Sequence, residues 1–262
     1  MKKFSLFLLL TITVFSCSRV ALTGRKRLAL IPESTMQSLA LTQYKGFLGT
    51  NPPVKNTPEA IMLNKVGTRL SKAVNDYMSS KGLTQQLAGF NWEFNLVSSK
   101  EINAWCMPGG KVVVYSGLLP VTLNEAGLAA VIGHEVSHAL ARHGSERMTQ
   151  SLIAQGLSIG GDIATSNNPK VNNTFNQAFG IGGQLGILAF SRQHENEADK
   201  MGMIFMAMAG YDPKEAIEVW KRMAAKSGPK PPELLSTHPS DATRISNLTA
   251  NLKTAMVFYR PQ

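Results

Sequence analysis

The chain has 262 residues, of which 44% are hydrophobic and 17% charged, so it can bury one good-sized core or two small ones and is not a disordered chain. Its formal net charge of +10 would suit nucleic acid, an anionic membrane surface or acidic substrates. The sequence contains no zinc-finger spacing, RNA-binding signature or Arg-rich helix, so we expect no nucleic-acid partner.

The first residues have the pattern of an export signal. Two lysines precede an apolar run from Phe4 to Phe15 that is too short to stay as a membrane-spanning helix. The run ends in V-F-S-C, which resembles a bacterial lipoprotein signal with Cys17 as the lipidated residue. We predict a signal peptide over 1–16, then an anchor and linker over 17–33, in which the basic patch Arg25–Arg27 is solvated or lies on anionic lipid. The alternative is an ordinary cleaved signal followed by a free cysteine.

Residues 34–262 are predicted to form a single domain. Apolar residues recur at helical spacing from Met36 to Phe47 and from Leu63 to Tyr77, and Thr57 followed by Pro58 favours a helix start.

Two strands should follow these helices. Trp92–Leu96 alternates in polarity, and Lys111–Tyr115 is a β-branched run bounded by Gly110. Cys106, between them, is expected to be a packed free thiol.

The next helix is predicted from a capping-box pattern at Thr122–Glu125 to an end near Gly144. It contains H-E-V-S-H. At about 100° per residue, His134 and His138 lie one turn apart on one face, where two imidazoles can bind one Zn²⁺. Glu135 lies beside them, within reach of a water molecule at the metal.

A catalytic zinc site needs a third protein ligand. The segment S-R-Q-H-E-N-E-A-D places Glu195 and Asp199 four residues apart on a helix predicted over 184–209. One carboxylate could bind the metal while the other accepts the free N–H of a ligand histidine. The spacing alone leaves Glu197 and His194 open as ligands.

These two motifs together resemble the CAAX prenyl protease and HtpX-like zinc metalloendopeptidases, and within them the soluble periplasmic lipoprotein branch. The segment N-A-W-C-M-P-G-G, from Asn103 to Gly110, is similar to that family's N-A-F-x-x-P-G-G. The sequence T-H-P at His238, with Arg244, resembles its H-P-x-x-x-x-R element.

The resemblance implies one Zn²⁺ per chain, with Glu195 as the third ligand and Asp199 behind a ligand histidine. It also implies that His238 and Arg244 steady the oxyanion of the reacting carbonyl. Alternatively, His238 is a fourth ligand that holds the enzyme inactive.

By the same resemblance, an extended substrate adds as a strand to an edge formed by Lys111–Tyr115. The residues expected to bind substrate are Asn103, Gly110, Lys111, Val112 and Val113.

The expected fold is α+β and mostly α: a zincin-like, gluzincin peptidase with a small antiparallel sheet packed on the H-E-x-x-H helix. The expected function is cleavage of unfolded or misassembled envelope proteins by a lipid-anchored enzyme, with envelope assembly machinery as a possible partner. Because Ser18 rather than Asp follows Cys17, the outer membrane facing the periplasm is favoured. The alternative is an assembly chaperone or scaffold with a closed, structural zinc site, although such a site would have no use for Glu135.

Overall fold

The computed structural model describes residues 17–155, 167–179, 190–226, 234, 238 and 242–261. Its α-helices are α1 (Glu33–Thr50), α2 (Pro58–Ser80), α3 (Leu119–Thr122), α4 (Glu125–Ala141), α5 (His143–Ala154), α6 (Pro169–Phe179), α7 (Arg192–Met208), α8 (Lys214–Ala225) and α9 (Ala242–Met256). Its strands are β1 (Cys17–Arg19), β2 (Lys26–Leu28), β3 (Pro53–Val54), β4 (Glu93–Val97), β5 (Ala104–Met107) and β6 (Lys111–Tyr115). The chain is therefore mostly helical, as expected, while the signal peptide predicted over 1–16 lies outside the described residues.

The main sheet has four strands in the order β3-β4-β6-β5. β4 and β6 run parallel, whereas β3 pairs antiparallel with β4 and β5 pairs antiparallel with β6. The sheet is thus mixed, not antiparallel as predicted. It also makes β6 an interior strand and β5 an edge strand, so the prediction that Lys111–Tyr115 forms the edge is wrong.

The turn between β5 and β6 explains the P-G-G sequence. Gly109 and Gly110 have φ angles of +86° and +80°, a region in which a side chain would be strained. A Cβ on Gly110 would also lie 2.7 Å from the ring of Trp92. The two glycines therefore allow a tight connection that places β5 beside β6.

Helix α4, which carries H-E-V-S-H, is almost entirely buried because its sequence is apolar or small on every face. Its N-cap is Asn124, whose side chain accepts a hydrogen bond from the Gly127 N–H at 2.8 Å, and not Thr122 as predicted. It ends where Arg142 adopts a left-handed conformation (φ 58°), so the predicted end at Gly144 is also wrong. The chain then turns directly into α5.

Several predicted elements are confirmed. Thr57 caps α2 by accepting from the Ala60 N–H, and β4 and β6 form where the strand patterns predicted them. α7 begins at Arg192 with Ser191 as its N-cap, while the start predicted at Gln184 lies outside the described residues.

The sheet is covered on both faces. Val112 and Val114 of β6 belong to the larger apolar cluster around α4, whereas Val113 and Tyr115 point into a smaller cluster with α1. Within the described residues no single helix has the length and apolarity to cross a bilayer; the segments Ser116–Thr122 and Glu125–Ala141 meet that criterion only together, across a 119° bend.

Residues 17–33 are folded and are not a free linker. β1 and β2 form an antiparallel hairpin in which Cys17 pairs with Leu28. Arg27 is 3% exposed and donates to the carbonyl oxygen of Ala141 at 2.9 Å, and Arg25 makes ion pairs with buried carboxylates. These two arginines are thus used inside the fold, and neither is free to lie on lipid.

Candidate metal centre

Four buried side chains converge at the centre of the molecule. His134 and His138 come from α4, Glu195 from the first turn of α7, and His238 from the segment before α9. Each offers one nitrogen or carboxylate oxygen atom, and these four atoms all lie within 4.8 Å of one another. The two helices predicted to carry the ligands are therefore brought together.

The spacing of three of these groups fits a single zinc ion. The Nε2 atom of His134 lies 3.1 Å from Nε2 of His138 and 3.4 Å from Oε2 of Glu195, and Nε2 of His138 lies 3.5 Å from Oε1 of Glu195. Ligand atoms held about 2.0–2.1 Å from a tetrahedral Zn²⁺ are roughly 3.3 Å apart. The donor set and its geometry both suit Zn²⁺.

His238 completes this shell. Its Nδ1 atom lies 3.2 Å from Nε2 of His134 and 2.9 Å from Oε1 of Glu195. Thr237 and Pro239, its partners in the T-H-P motif, lie outside the described residues. The position of Nδ1 fits a fourth ligand, while Nε2 of the same ring faces Oε1 of Glu135 at 3.4 Å.

Glu135 is 3% exposed and faces the same space. Its Oε1 is buried and accepts no hydrogen bond, and Nε2 of His238 lies 3.4 Å from that oxygen. Burial raises the pKa of Glu135 above its ordinary value. A carboxylate so placed can accept a proton from a water molecule beside the ligand cluster.

Asp199 and Arg244 stand behind the ligands. The Nδ1 atom of His134 lies 2.8 Å from Oδ1 of Asp199, so the carboxylate holds that N–H and leaves Nε2 free to bind metal. The guanidinium of Arg244 lies 2.7 Å from Oδ1 of Asp199 and 2.9 Å from Oε2 of Glu195, and it stacks 3.4 Å above the ring of Trp220. Arg244 therefore orients the two carboxylates behind the ligand cluster.

The ionisation of the cluster is set by these contacts. Burial opposes a charge on His134, but its hydrogen bonds with Asp199 and Glu195 raise its pKa to about 9. Burial would raise the pKa of Glu195, yet His238 and His134 hold it well below its ordinary value. A cation that binds here displaces the proton on His134, so we expect metal affinity to increase with pH.

The two alternative ligands, His194 and Glu197, belong to a different group. His194 lies with His143 and Glu146, and Glu197 lies 2.9 Å from His143. Of the three candidate ligands, only Glu195 lies with His134 and His138 in the cluster. His143 was missed in the sequence, although a third histidine five residues after His138 was a visible signal.

The residues predicted to bind substrate are mostly inaccessible. Val112 and Val113 are 0% exposed, and the backbone of β6 is paired with β4 on one side and β5 on the other. Lys111 is ion-paired with Glu93, so these three cannot receive a substrate strand.

Asn103 and Gly110 lie at the two ends of the β5–β6 hairpin. Asn103 is buried, and its carbonyl oxygen accepts from the Tyr115 N–H at 3.0 Å. Since hydrogen-bonded pairs alternate along an antiparallel ladder, the outward backbone groups on β5 belong to Ala104 and Cys106. No described strand pairs with that edge. Among the described strands, β5 is therefore the unpaired edge beside β6.

Comparison with known proteins agrees with this geometry. The family model described as Peptidase family M48 matches residues 64–252. The chain is 38% identical over 179 residues to the mitochondrial metalloendopeptidase OMA1 of Arabidopsis thaliana, covering 68% of this chain and 35% of that protein. It is 36% identical to OMA1 of Saccharomyces cerevisiae, covering 66% and 50%, and 27% identical to the beta-barrel assembly-enhancing protease of Escherichia coli strain K12, covering 84% and 44%.

The chain spans a third to a half of the length of these relatives. The family match covers well over half of the chain and includes both ligand-bearing helices. This chain belongs to peptidase family M48.

Proposed function

We propose that this protein is a zinc metalloendopeptidase that cleaves extended or unfolded polypeptides. The observation that carries the proposal is the buried Glu135 carboxylate, whose Oε1 accepts no hydrogen bond, beside the cluster of His134, His138 and Glu195. A purely structural zinc site needs ligands but no neighbouring general base. The donor set and its spacing support Zn²⁺, one ion per chain.

In this mechanism His134, His138 and Glu195 hold the metal, which when bound supplies Lewis-acid activation of water and of the peptide carbonyl. Glu135 accepts a proton from the attacking water and delivers it to the amine nitrogen as the C–N bond breaks. Burial raises the pKa of Glu135, which makes the carboxylate a stronger base than an ordinary glutamate and so favours the first step. Asp199 keeps His134 in the tautomer that leaves Nε2 as the ligand.

The substrate binds along β5. The outward C=O of Ala104 and the N–H and C=O of Cys106 supply backbone hydrogen bonds to a chain added as a further strand, whereas the Ala104 N–H is bonded to Oδ1 of Asn103 at 2.9 Å. β5 packs directly on α4, so an added strand would run past the ligand cluster. Backbone pairing selects extended chains and reads little sequence, which supports unfolded proteins as the substrate class.

The cellular setting is proposed on two grounds. The V-F-S-C sequence before Ser18 fits a lipid anchor on Cys17, and some of the relatives are bacterial proteins named beta-barrel assembly-enhancing protease. We therefore place the enzyme at the outer membrane facing the periplasm, acting on misassembled envelope proteins beside the assembly machinery.

One observation favours a second candidate, a scaffold with a closed zinc site. His238 stands in the fourth ligand position, and four protein ligands are typical of structural zinc. The two candidates differ in whether Glu135 is needed.

Casein cleavage by the zinc-loaded protein tests the proposal, with Glu135→Gln as the variant and a chelator as a second control. We expect Glu135→Gln to keep one zinc per chain while cleavage falls by a factor of about 10² to 10⁴. Chelation should abolish cleavage, and added Zn²⁺ should restore it. Equal cleavage by Glu135→Gln and the wild type would overturn the peptidase mechanism.

A further inference from the structure

The two histidines of H-E-V-S-H are oriented by different partners. Nδ1 of His134 faces a carboxylate, Asp199, at 2.8 Å. Nδ1 of His138 faces no carboxylate; it lies 3.0 Å from Nδ1 of His143, the first residue of α5. The ring of His143 is fully buried, so this contact is not shared with solvent.

A chain of hydrogen bonds continues from His143 to the N-terminal hairpin. Nε2 of His143 lies 2.9 Å from Oε2 of Glu197, and the same oxygen accepts from Nε of Arg25 at 2.7 Å. Thr23 donates to the other oxygen of Glu197. The β1–β2 hairpin is thus connected by hydrogen bonds, through Glu197 and His143, to His138 of the metal cluster.

The direction of each hydrogen bond follows from the chemistry of the groups. Glu197 is a carboxylate bound to Arg25 and can only accept, so Nε2 of His143 must carry the proton. Nδ1 of a neutral His143 is then an acceptor, and Nδ1 of His138 is the donor. This leaves the lone pair of His138 on Nε2, the atom that faces His134 and Glu195.

We propose that His143 is a positioning residue for the metal ligand His138, held in its acceptor tautomer by Glu197 and Arg25. This role rests on the metal site of the proposed function, but not on the reaction catalysed there. A partner behind a ligand histidine fixes both the tautomer and the orientation of the ring.

The same cluster has a rival interpretation as a second metal site, because His143, Glu146 and His194 also lie within metal-binding distance of one another. Arg25 argues against it. Its guanidinium donates to both carboxylate oxygens of Glu146, at 2.9 and 2.5 Å. The arginine therefore already neutralises the negative charge that would attract a cation. Both nitrogens of His143 are also engaged.

Zinc affinity, measured by chelator competition, tests the proposal with two substitutions of opposite design. An Asn at position 143 can place its oxygen where Nδ1 of His143 lies and still accept from His138, whereas a Gln reaches toward Glu197 instead. We expect His143→Asn to bind zinc nearly as well as the wild type. His143→Gln and His143→Ala should lose about 10- to 100-fold in affinity.

Arg25→Ala provides a second test of the proposal, and Glu146→Gln is its matched control. Arg25→Ala removes the charge that holds Glu197 and should weaken zinc binding without touching α4. Glu146→Gln breaks the other ion pair of Arg25 but leaves the bonds from Glu197 to His138, so its zinc affinity should equal that of the wild type. Urea unfolding of each metal-free variant separates these effects from a loss of folding.

The outcomes are distinct. Zinc affinity that is equal in His143→Asn and His143→Gln, whether both are normal or both are reduced, would overturn the positioning role. Two zinc ions per wild-type chain, falling to one in Glu146→Gln, would establish the second metal site instead. If the wild type binds zinc but cleaves nothing, the proposed peptidase function fails. The zinc affinities of the His143 variants would still test the positioning role.

Discussion

Gly133 and Gly202 meet where the two ligand-bearing helices, α4 and α7, cross. A Cβ on Gly202 would lie 2.8 Å from the backbone nitrogen of His134, and one on Gly133 would lie 3.0 Å from the carbonyl oxygen of Gly202. Each glycine is next to the site in sequence: Gly133 precedes His134, and Gly202 is three residues beyond Asp199. Because neither position carries a side chain, the helices can approach until Nε2 of His134 and Oε2 of Glu195 are 3.4 Å apart.

Gly202→Ala should therefore damage the metal site through the backbone. The added methyl group meets backbone atoms, which cannot swing aside, so α7 must move away from α4. We expect a loss of about 1–3 kcal/mol in the free energy of unfolding, together with weaker zinc binding. Urea denaturation and chelator competition measure the two effects.

Gly46→Ala is the matched control. Gly46 lies on the exposed face of α1, where a Cβ would have no neighbour within 4 Å. The same substitution there should be neutral or stabilise the helix by up to about 1 kcal/mol. Wild-type zinc affinity in Gly202→Ala would show that the close approach does not position the ligands.

The sequence motifs identified two helices that meet at the buried cluster, but not the arrangement around it, and the choice of Glu195 over Glu197 and His194 rested on family resemblance. His134 and His138 are local, since one helical turn separates them, and Glu195 with Asp199 repeats the same spacing on a second helix. His238 and Arg25 could not be placed in this way. Arg25 pairs with Glu197 across 172 positions of sequence, and no local pattern encodes such a contact.

The sheet was mispredicted for a related reason. Strand patterns identified β4 and β6 correctly, because alternation and β-branched runs are local signals. The order of strands depends on pairing between distant segments, and the short β5 was read only as part of a motif. Because β5 pairs with the free side of β6, the β6 residues that were expected to bind substrate lie on an interior strand.

The edge of β5 gives a prediction about substrate binding. Cys106→Pro removes one outward N–H without removing a hydrogen bond to β6, and proline is tolerated on an edge strand in that position. We expect the KM for casein to increase several-fold while the zinc content is unchanged. Cys106→Ala, which keeps the N–H, is the control and should retain the wild-type KM. If both variants behave alike, the substrate does not pair with β5.

His238→Ala tests whether the fourth ligand position restrains the enzyme. Three protein ligands remain in this variant, and the position taken by Nδ1 of His238 becomes open. We expect the rate of casein cleavage to rise while the zinc content stays at one per chain. A fall in cleavage at the same zinc content would instead favour contact between His238 and the reacting carbonyl.

Glu146 is one of the groups expected to make stability depend on pH. Burial would raise its pKa, but hydrogen bonds and the charge of Arg25 lower it to about 2, against about 4.3 in an unfolded chain. A carboxyl with a depressed pKa stabilises the fold above its unfolded pKa, and this contribution disappears as the pH falls toward the folded pKa. Glu146→Gln removes the charge at every pH. The gap in unfolding midpoint between wild type and Glu146→Gln should thus be largest near neutral pH and shrink between about pH 5 and pH 2.

Glu218→Gln is the control for this titration, because Glu218 pairs with Lys221 on the surface, where both side chains are about half exposed. Exposed pairs of this kind contribute little, so its midpoint should follow that of the wild type throughout. Thermal unfolding of the three proteins across the acid range provides the comparison. A gap for Glu146→Gln that stays constant down to pH 2 would mean that Glu146 stabilises the fold by packing and not through its charge on Arg25.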